Sequence, residues 1–253
     1  MNSSPRSIYL RQLGTIPYKA AWNLQEALLQ EIVTIKLANR KRPSTQQQPT
    51  PGYLLLCNHP HVYTVGTSGL PEHLLVPALT LQQQGIPLHR TNRGGGVTYH
   101  GPGQLVIYPI LDLDNFFTDL HRYLRLLEEV MIAVLQDFGL QGGRIPGLTG
   151  IWLEPTSPMH ARKICAIGIR ATRWVTMHGL ALNVNPDLNY FRPIIPCGVS
   201  GKSLTSLENE LEALQDMQVV IERLMHHFAR LFGVALLSPS EAMPGYTHCA
   251  PSG

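Results

Sequence analysis

The order of apolar and polar positions divides the chain into short strand-like runs and three long helical ones. Residues 17–38, "PYKAAWNLQEALLQEIVTIKLA", carry Trp22, Leu24, Leu28, Leu29, Ile32 and Ile35 at helical spacing, with Pro17 at the first turn. "NRKRPSTQQQPTPG" is polar and proline-bearing, which predicts an exposed connection. "YLLLCNHPHVYTVG" predicts a buried strand, a turn at Asn58–Pro60 and a second short strand. "PLHRTN" then leads to three consecutive glycines, Gly94 to Gly96, and "QLVIYPIL" reads as a further apolar strand. From Asp119 to Phe138 the pattern is strongly amphipathic and stops at Gly139. "GIWLE" and "RKICAIGIRATRWVTMHGLALNVN" predict a meander of antiparallel strands, and a last helix is expected from about Leu214 to Phe232.

Strands and helices are mixed without strict alternation, so the pattern favours an α+β domain with mixed or antiparallel sheets and flanking helices over a doubly wound parallel sheet. No repeat and no break in composition marks a second domain. The expected layout is a short N-terminal extension at 1–8, one catalytic domain at 9–237, and a loosely held tail at 238–253.

At 253 residues the chain can bury a substantial core. Its 20 basic and 17 acidic residues leave a net charge of only +3, and they are scattered, which argues against nucleic acid as a partner while tolerating an acidic protein. No stretch approaches the roughly 20 apolar residues that span a bilayer, so no membrane partner is expected. The cysteines Cys57, Cys165, Cys197 and Cys249 form no CxxC pair. That fits a reducing cytoplasm, with a mitochondrial leader in "MNSSPRSIYLRQLG" the alternative.

A glycine run ahead of a strand suggests a phosphate loop, but the spacing fails. Gly201-Lys202-Ser203 lacks the glycine five positions earlier, where Pro196 stands without a backbone N–H, and Arg93-Gly94-Gly95-Gly96 does not fit GxGxxG. Cys57, His59 and His61 alternate as zinc ligands might, yet Pro60 intervenes and no second ligand cluster exists, so they read as turn and surface histidines with no metal. Likewise His226 and His227 read as a partly solvated helix face.

Cys197 differs. In "IIPCGVSGKSLTSL" it stands at the end of an apolar run between Pro196 and Gly198, a flank that exposes a thiol on a tight turn as acyl transfer requires. A thiol needs a cationic neighbour to ionise at neutral pH. Lys163 is the candidate, because it stands inside the apolar run "KICAIGIR", where an inward-pointing lysine loses water and can exchange a proton. The competing reading is a lysine that snorkels from an edge strand.

"RGGGVTYHGPGQLVIYPILDL", Gly150-Ile151-Trp152-Leu153-Glu154, "RKICAIGIR", "HGLALNVN" and "IIPCGVSGKSLTSL" resemble, in this order, the octanoyl-acyl-carrier-protein:protein octanoyltransferases, the LipB-type lipoyl(octanoyl) transferases. The likeness runs from about Tyr9 to Phe232. It implies the α+β catalytic fold shared with biotin and lipoate ligases. It also implies transfer of an octanoyl group from octanoyl-acyl carrier protein to a lysine of lipoyl-domain proteins, the lipoate-dependent dehydrogenase subunits and the glycine cleavage H protein. No cofactor is implied. Carried over by position, Cys197 is the thioester nucleophile and Lys163 promotes its thiolate and handles protons. Arg93, Gly94, Gly95, Gly96, Val97, Thr98, Tyr99 and His100, then Ala166, Ile167 and Gly168, then Gly179, Leu180 and Ala181, line the octanoyl tunnel. The glycines then leave room for an acyl chain rather than for phosphate. "DLDNFFTDLHRYLRLLEEVM" and "RATRWVTMHGLALNVN" resemble bacterial members more than mitochondrial ones. Two alternatives share parts of this pattern: an ATP-dependent lipoate or biotin ligase of the same fold, which needs no cysteine, and an acyl-binding protein.

Overall fold

A computed structural model of the chain describes residues 6–195 and 203–238. In chain order the elements are β1 (Arg6–Thr15), α1 (Tyr18–Asn39), β2 (Tyr53–Asn58), β3 (Val62–Val65), α2 (Ala78–Gln83), β4 (Leu88–Arg90), β5 (Val97–His100) and β6 (Gln104–Ile110). They continue with α3 (Leu120–Asp137), β7 (Gly142–Ile145), β8 (Leu148–Leu153), β9 (Arg162–Thr172), β10 (Val175–Asn183), β11 (Ser203–Leu204), α4 (Leu207–Leu211), α5 (Met217–Phe232) and β12 (Val234–Leu237).

The large sheet runs β12-β1-β2-β6-β10-β9-β8-β7, with β11 beside the start of β9, and β4-β3-β5 form a small second sheet. Pairing is parallel at β1–β12 and β1–β2 and antiparallel from β2 to β7, so the sheet is mixed. This is the α+β architecture that the pattern predicts. Strand pairing reaches closer to the N-terminus than the boundary expected at Tyr9. Arg6, Ser7 and Ile8 pair with Val234, Ala235 and Leu236, because Ile8 and Leu10 alternate onto the core face.

Period-two alternation splits the large sheet into two faces. Leu105 and Ile107 of β6 and Leu180 and Leu182 of β10 pack with α3 and α5, whereas Val106, Tyr108 and Ala181 point to the other side, where α1 lies. α3 begins and ends on chemical signals. Asp119 caps α3 by accepting the Arg122 N–H, and Gly139 ends it with φ of 76°. The last helix is shorter than expected. Glu212 turns left-handed at φ 52° after α4, and Asp216 caps α5, so the chain restarts at Met217. The six-residue helix α2 carries too little periodicity to announce itself. No helix among the described residues is long and apolar enough to cross a membrane.

β9 and β10 pack so closely to their neighbours that two glycines become obligatory. A Cβ on Gly179 would stand 2.1 Å from the Ile107 carbonyl oxygen, and one on Gly168 2.6 Å from that of Gly94. Gly179→Ala is expected to destabilise the protein by about 1–3 kcal/mol through overpacking. Chemical denaturation of variant and parent measures this, and an unchanged midpoint would contradict it.

Candidate functional site

The face of the large sheet that α1 covers only in part carries a narrow cleft. Its floor is graded along the strands. Asn183 of β10 pairs with Gln104 of β6, and the Gln104 amide donates to Asn183 Oδ1 at 2.9 Å. Next along the sheet comes the row Ala166–Ala181–Val106, then the glycine pair Gly168–Gly179. Beyond these stand Tyr18 of α1, Tyr108 of β6 and His178 of β10. Polar groups at one end thus give way to small apolar ones and finally to aromatic rings. The cleft encloses about 40 Å³. That is room for roughly three water-sized groups, so a longer chain must widen it or extend into adjoining space.

The roof is the glycine loop, and Arg93 holds it. Arg93 is 8% exposed, and its guanidinium donates to the carbonyls of Thr64, Gly94 and Gly96 at 2.8, 3.0 and 2.8 Å and to the Thr64 hydroxyl. The Gly94 N–H donates to Ile169 O at 3.0 Å, which docks the loop on β9. Gly95 has φ of 88°, a conformation open to glycine, and its missing Cβ leaves the roof thin where it borders the cleft.

Three histidines around the cleft are held neutral. Burial pushes His59 down to about 4, against an Ile16 carbonyl that accepts from Nδ1 at 2.7 Å. Burial, then the charges of Arg93 and Arg170, push His178 down to about 3. Burial and the neighbouring His59 and Arg93 hold His100 well below the usual histidine range. Their partners fix the tautomers. His59 Nε2 accepts from the Tyr108 hydroxyl at 2.8 Å, His100 Nδ1 donates to Gln104, and His178 Nε2 donates to Asn92 Oδ1 at 2.6 Å. His59 is therefore a fully buried wall residue and not the surface histidine expected from its turn. Its Nε2 also lies 3.8 Å from Cys57 Sγ. No cluster among the described residues could hold a metal ion. His227 is also largely buried, with Nε2 2.9 Å from Asp137 Oδ2.

Lys163 is 4% exposed, so it does not snorkel. Its ammonium lies 4.7 Å from the centroid of the Trp152 ring, a cation–π geometry. It borders a small separate space with Gln104 and Asn183 that adjoins the cleft at Thr98 and Ala166, and also a second, larger cavity of about 340 Å³ on the outer side of β9. Gly150 makes space for it. A Cβ at Gly150 would stand 3.3 Å from Lys163 Cε and 2.5 Å from Cys165 O.

The candidate residues read from the sequence are distributed as follows. Arg93, Gly95, Thr98, His100, Ala166, Ile167, Gly168, Gly179, Leu180 and Ala181 border the cleft, and Gly94 and Gly96 border the second cavity. Of these, Ile167 and Leu180 send their side chains into the opposite core. Val97 and Tyr99 line neither space. They alternate with Thr98 and His100 along β5 and point into a third core with Tyr63 and Phe191. Cys197 lies outside the described residues. Tyr18, Val106, Tyr108 and His178 also border the cleft, and no sequence motif points to them. Of these four, His178 has a left-handed φ of 57°, which is visible only in the structure.

Residues 17–229 match the model of the lipoyl protein ligase A/B catalytic domain. The chain is 52% identical over 227 residues to an octanoyltransferase of Cytophaga hutchinsonii, covering 90% of this chain and 93% of that one. It is 53% identical over 228 residues to an octanoyltransferase of Flavobacterium johnsoniae, covering 90% and 97%. Among solved structures, a putative lipoate protein ligase of T. acidophilum with bound lipoic acid is similar with a TM-score of 0.65 and 16% identity, covering 92% of this chain and 88% of that one. A lipoate-protein ligase A bound with ATP is similar with a TM-score of 0.61 and 17% identity, covering 94% and 91%. At such identities the likeness to the solved structures is one of fold.

Neutral buried histidines make stability depend on pH in a defined window. Unfolded histidine takes up a proton near 6.5, whereas His59 and His178 stay neutral in the fold down to about 4 and about 3. Between these values the unfolded state binds more protons, so stability falls as pH falls from about 6.5. Each such histidine contributes a slope of about 1.4 kcal/mol per pH unit. Denaturation midpoints at pH 7.5, 6 and 5 should decline together, and a flat profile would overturn the assignment.

Proposed function

The chain belongs to the lipoyl protein ligase A/B catalytic family, and from that membership we propose that it is an octanoyltransferase acting in protein lipoylation. It is an acyltransferase that moves an octanoyl group from octanoyl-acyl carrier protein to a lysine amine of lipoyl-domain proteins. The observation that carries this reading is identity above 50% to octanoyltransferases over nine-tenths of both chains. The site's chemistry supports it. A cleft with neutral histidines, a small-residue floor and one arginine whose guanidinium is tied to loop carbonyls suits an alkyl chain, and a buried lysine lines the polar space that adjoins it.

In the proposed reaction the Cys197 thiolate attacks the octanoyl thioester carbonyl and the donor's thiol leaves, giving an enzyme thioester. The acceptor lysine amine then attacks that thioester, forms the amide and returns the Cys197 thiolate. The protons that cross are one to the departing donor thiol and one from the incoming amine. In this reading Lys163 exchanges them, which is supported by its ammonium lying against Trp152 within the chain's own packing rather than in open water. The cleft residues from Arg93 to His100 that face inward, with Ala166, Gly168, Gly179 and Ala181, hold the alkyl chain. A reducing cytoplasm fits Cys57 and Cys165, which are unpaired.

The solved neighbours keep an ATP-dependent ligase as the alternative. An assay with octanoyl-acyl carrier protein and an apo lipoyl domain, without ATP, separates the two. The transferase acylates Cys197 when the acceptor is withheld, and peptide mapping locates the adduct. An adduct on Cys57, Cys165 or Cys249, or an absolute requirement for ATP, would refute the reading.

Lys163→Ala is expected to slow both half-reactions by about 10²-fold or more, the range of positioned acid–base groups. Lys163→Arg keeps a cation beside Trp152 but cannot release a proton near neutrality, so it should slow adduct transfer more than adduct formation. Single-turnover measurements of each step against pH report this. Transfer at the parental rate in the arginine variant would reduce Lys163 to an electrostatic neighbour.

A further inference from the structure

β8 and β9 pair at their outer ends and part company in the middle. Leu153, Trp152 and Ile151 oppose Arg162, Lys163 and Cys165, but Thr149 has no partner on β9 although it lies two residues further along the same strand. Gly150 is the cause. Its φ of 115° bends β8 away, and its missing Cβ lets the Cys165 carbonyl and the Lys163 side chain occupy the inside of the bend. Pairing on this edge of β9 resumes only at Ile169, whose carbonyl accepts from the Gly94 N–H. Between Cys165 and Ile169 stands Ile167.

The direction of the Ile167 backbone follows from the ladder. In an antiparallel pair, alternate residues turn both their N–H and their C=O toward the same neighbour. Ile169 turns its carbonyl away from β10, so Ile167, two residues earlier, turns its N–H and C=O the same way. They face the 340 Å³ groove bounded by Gly147 and Thr149 on one side and Gly94 on the other. Among the described residues, no hydrogen-bond partner meets them there. The groove meets the acyl cleft along Gly95, Ile167 and Gly168, and Lys163 closes one end.

We propose that this groove receives the pantetheine arm of the acyl donor, aligned by hydrogen bonds between an arm amide and the Ile167 N–H and C=O. The proposal rests on the octanoyl-transfer reading and adds where the donor's non-reacting part is held. An exposed strand edge takes an extended amide-bearing chain by main-chain hydrogen bonding. The spacing agrees. The Lys163 ammonium lies beside the position of Gly150, at the level of Cys165, and Ile167 is two strand residues further, about 7 Å. In pantetheine two methylenes separate the thioester sulfur from its first amide, so sulfur near Lys163 brings that amide toward Ile167. A lysine acceptor differs in placing four methylenes and its Cα, rather than two methylenes, between the reacting atom and its first amide.

Two measurements test it. In the parent protein, an unreactive thioether analogue of octanoyl-pantetheine should slow hydrogen exchange of the Ile167 amide by about tenfold or more, the effect of one or two net hydrogen bonds. Exchange that is unaffected by the analogue, or already slow without it, overturns the proposal. Acylation of Cys197 should favour octanoyl-pantetheine over the octanoyl thioester of ethanethiol by about tenfold in kcat/KM. Thr149→Trp, a change at an exposed position, should fill the groove and bring the two donors to near equality at unchanged thermal stability. A preference absent from the parent, or intact in Thr149→Trp, refutes the groove while leaving octanoyl transfer standing. Failure of every donor, octanoyl-acyl carrier protein included, refutes both.

Discussion

The Arg93 guanidinium is the interaction on which the rest of the site depends. It gathers three carbonyl oxygens from β3 and the glycine loop around one buried cation, so the roof of the cleft is fixed by hydrogen bonds rather than by apolar packing. Hydrogen bonds to a charged group are worth about 1.5–3 kcal/mol each, more than a short loop without side chains could gain by burial. The same charge has a second effect. It opposes protonation of His100 and His178, which burial already disfavours, so the ring-lined end of the cleft stays uncharged. An alkyl chain entering there meets no group whose desolvation must be offset.

Glycine serves three separate physical ends around this roof, and the residue letter alone does not distinguish them. Gly168 and Gly179 let a neighbouring carbonyl approach closer than any Cβ allows. Gly95 supplies a left-handed φ with almost nothing crowding it. Gly150 does both, and in doing so separates two strands. At Gly95, where the loop borders the cleft, a Cβ would meet only the Arg93 guanidinium. At Gly168 and Gly179 a neighbouring backbone carbonyl fills the place of the missing side chain.

Much of the fold was legible in the sequence because periodicity reports burial. α1 and α3 carry long apolar stripes bounded by Pro17, Asp119 and Gly139, and the strands from β8 to β10 each contain an apolar segment, such as Ile151–Leu153, Ile164–Ile169 and Leu180–Leu182. Illegible were elements too short to show a period, such as α2, and positions whose two faces are both buried. All four residues of β5 are buried, so the alternation of Val97 and Tyr99 with Thr98 and His100 separates two faces without telling which of them meets the cleft. His59 misled for a related reason. A turn at Asn58–Pro60 suggests solvent, but Tyr18, Tyr108 and His100 close over it.

Lys163 shows how little sequence change separates a core strand from a reactive one. Strict alternation would place it on the same face as Cys165 and Ile167, in the core beneath α3 and α5. The ladder with β8 prevents this. Trp152 opposes Lys163 while Ile151 opposes Cys165, so β9 contains one residue, Ile164, more than its partner across the same step. A strand with an extra residue reverses its alternation beyond that point. Lys163 consequently borders the space shared by Ala166, Thr98 and Asn183. The cost of burying its ammonium is met locally by the Trp152 ring, with Gly150 providing the volume. A bulge, an aromatic ring and a glycine on the adjoining strand together turn an apolar run into a scaffold for a desolvated amine, and none of the three changes the hydrophobic pattern by which the strand is recognised.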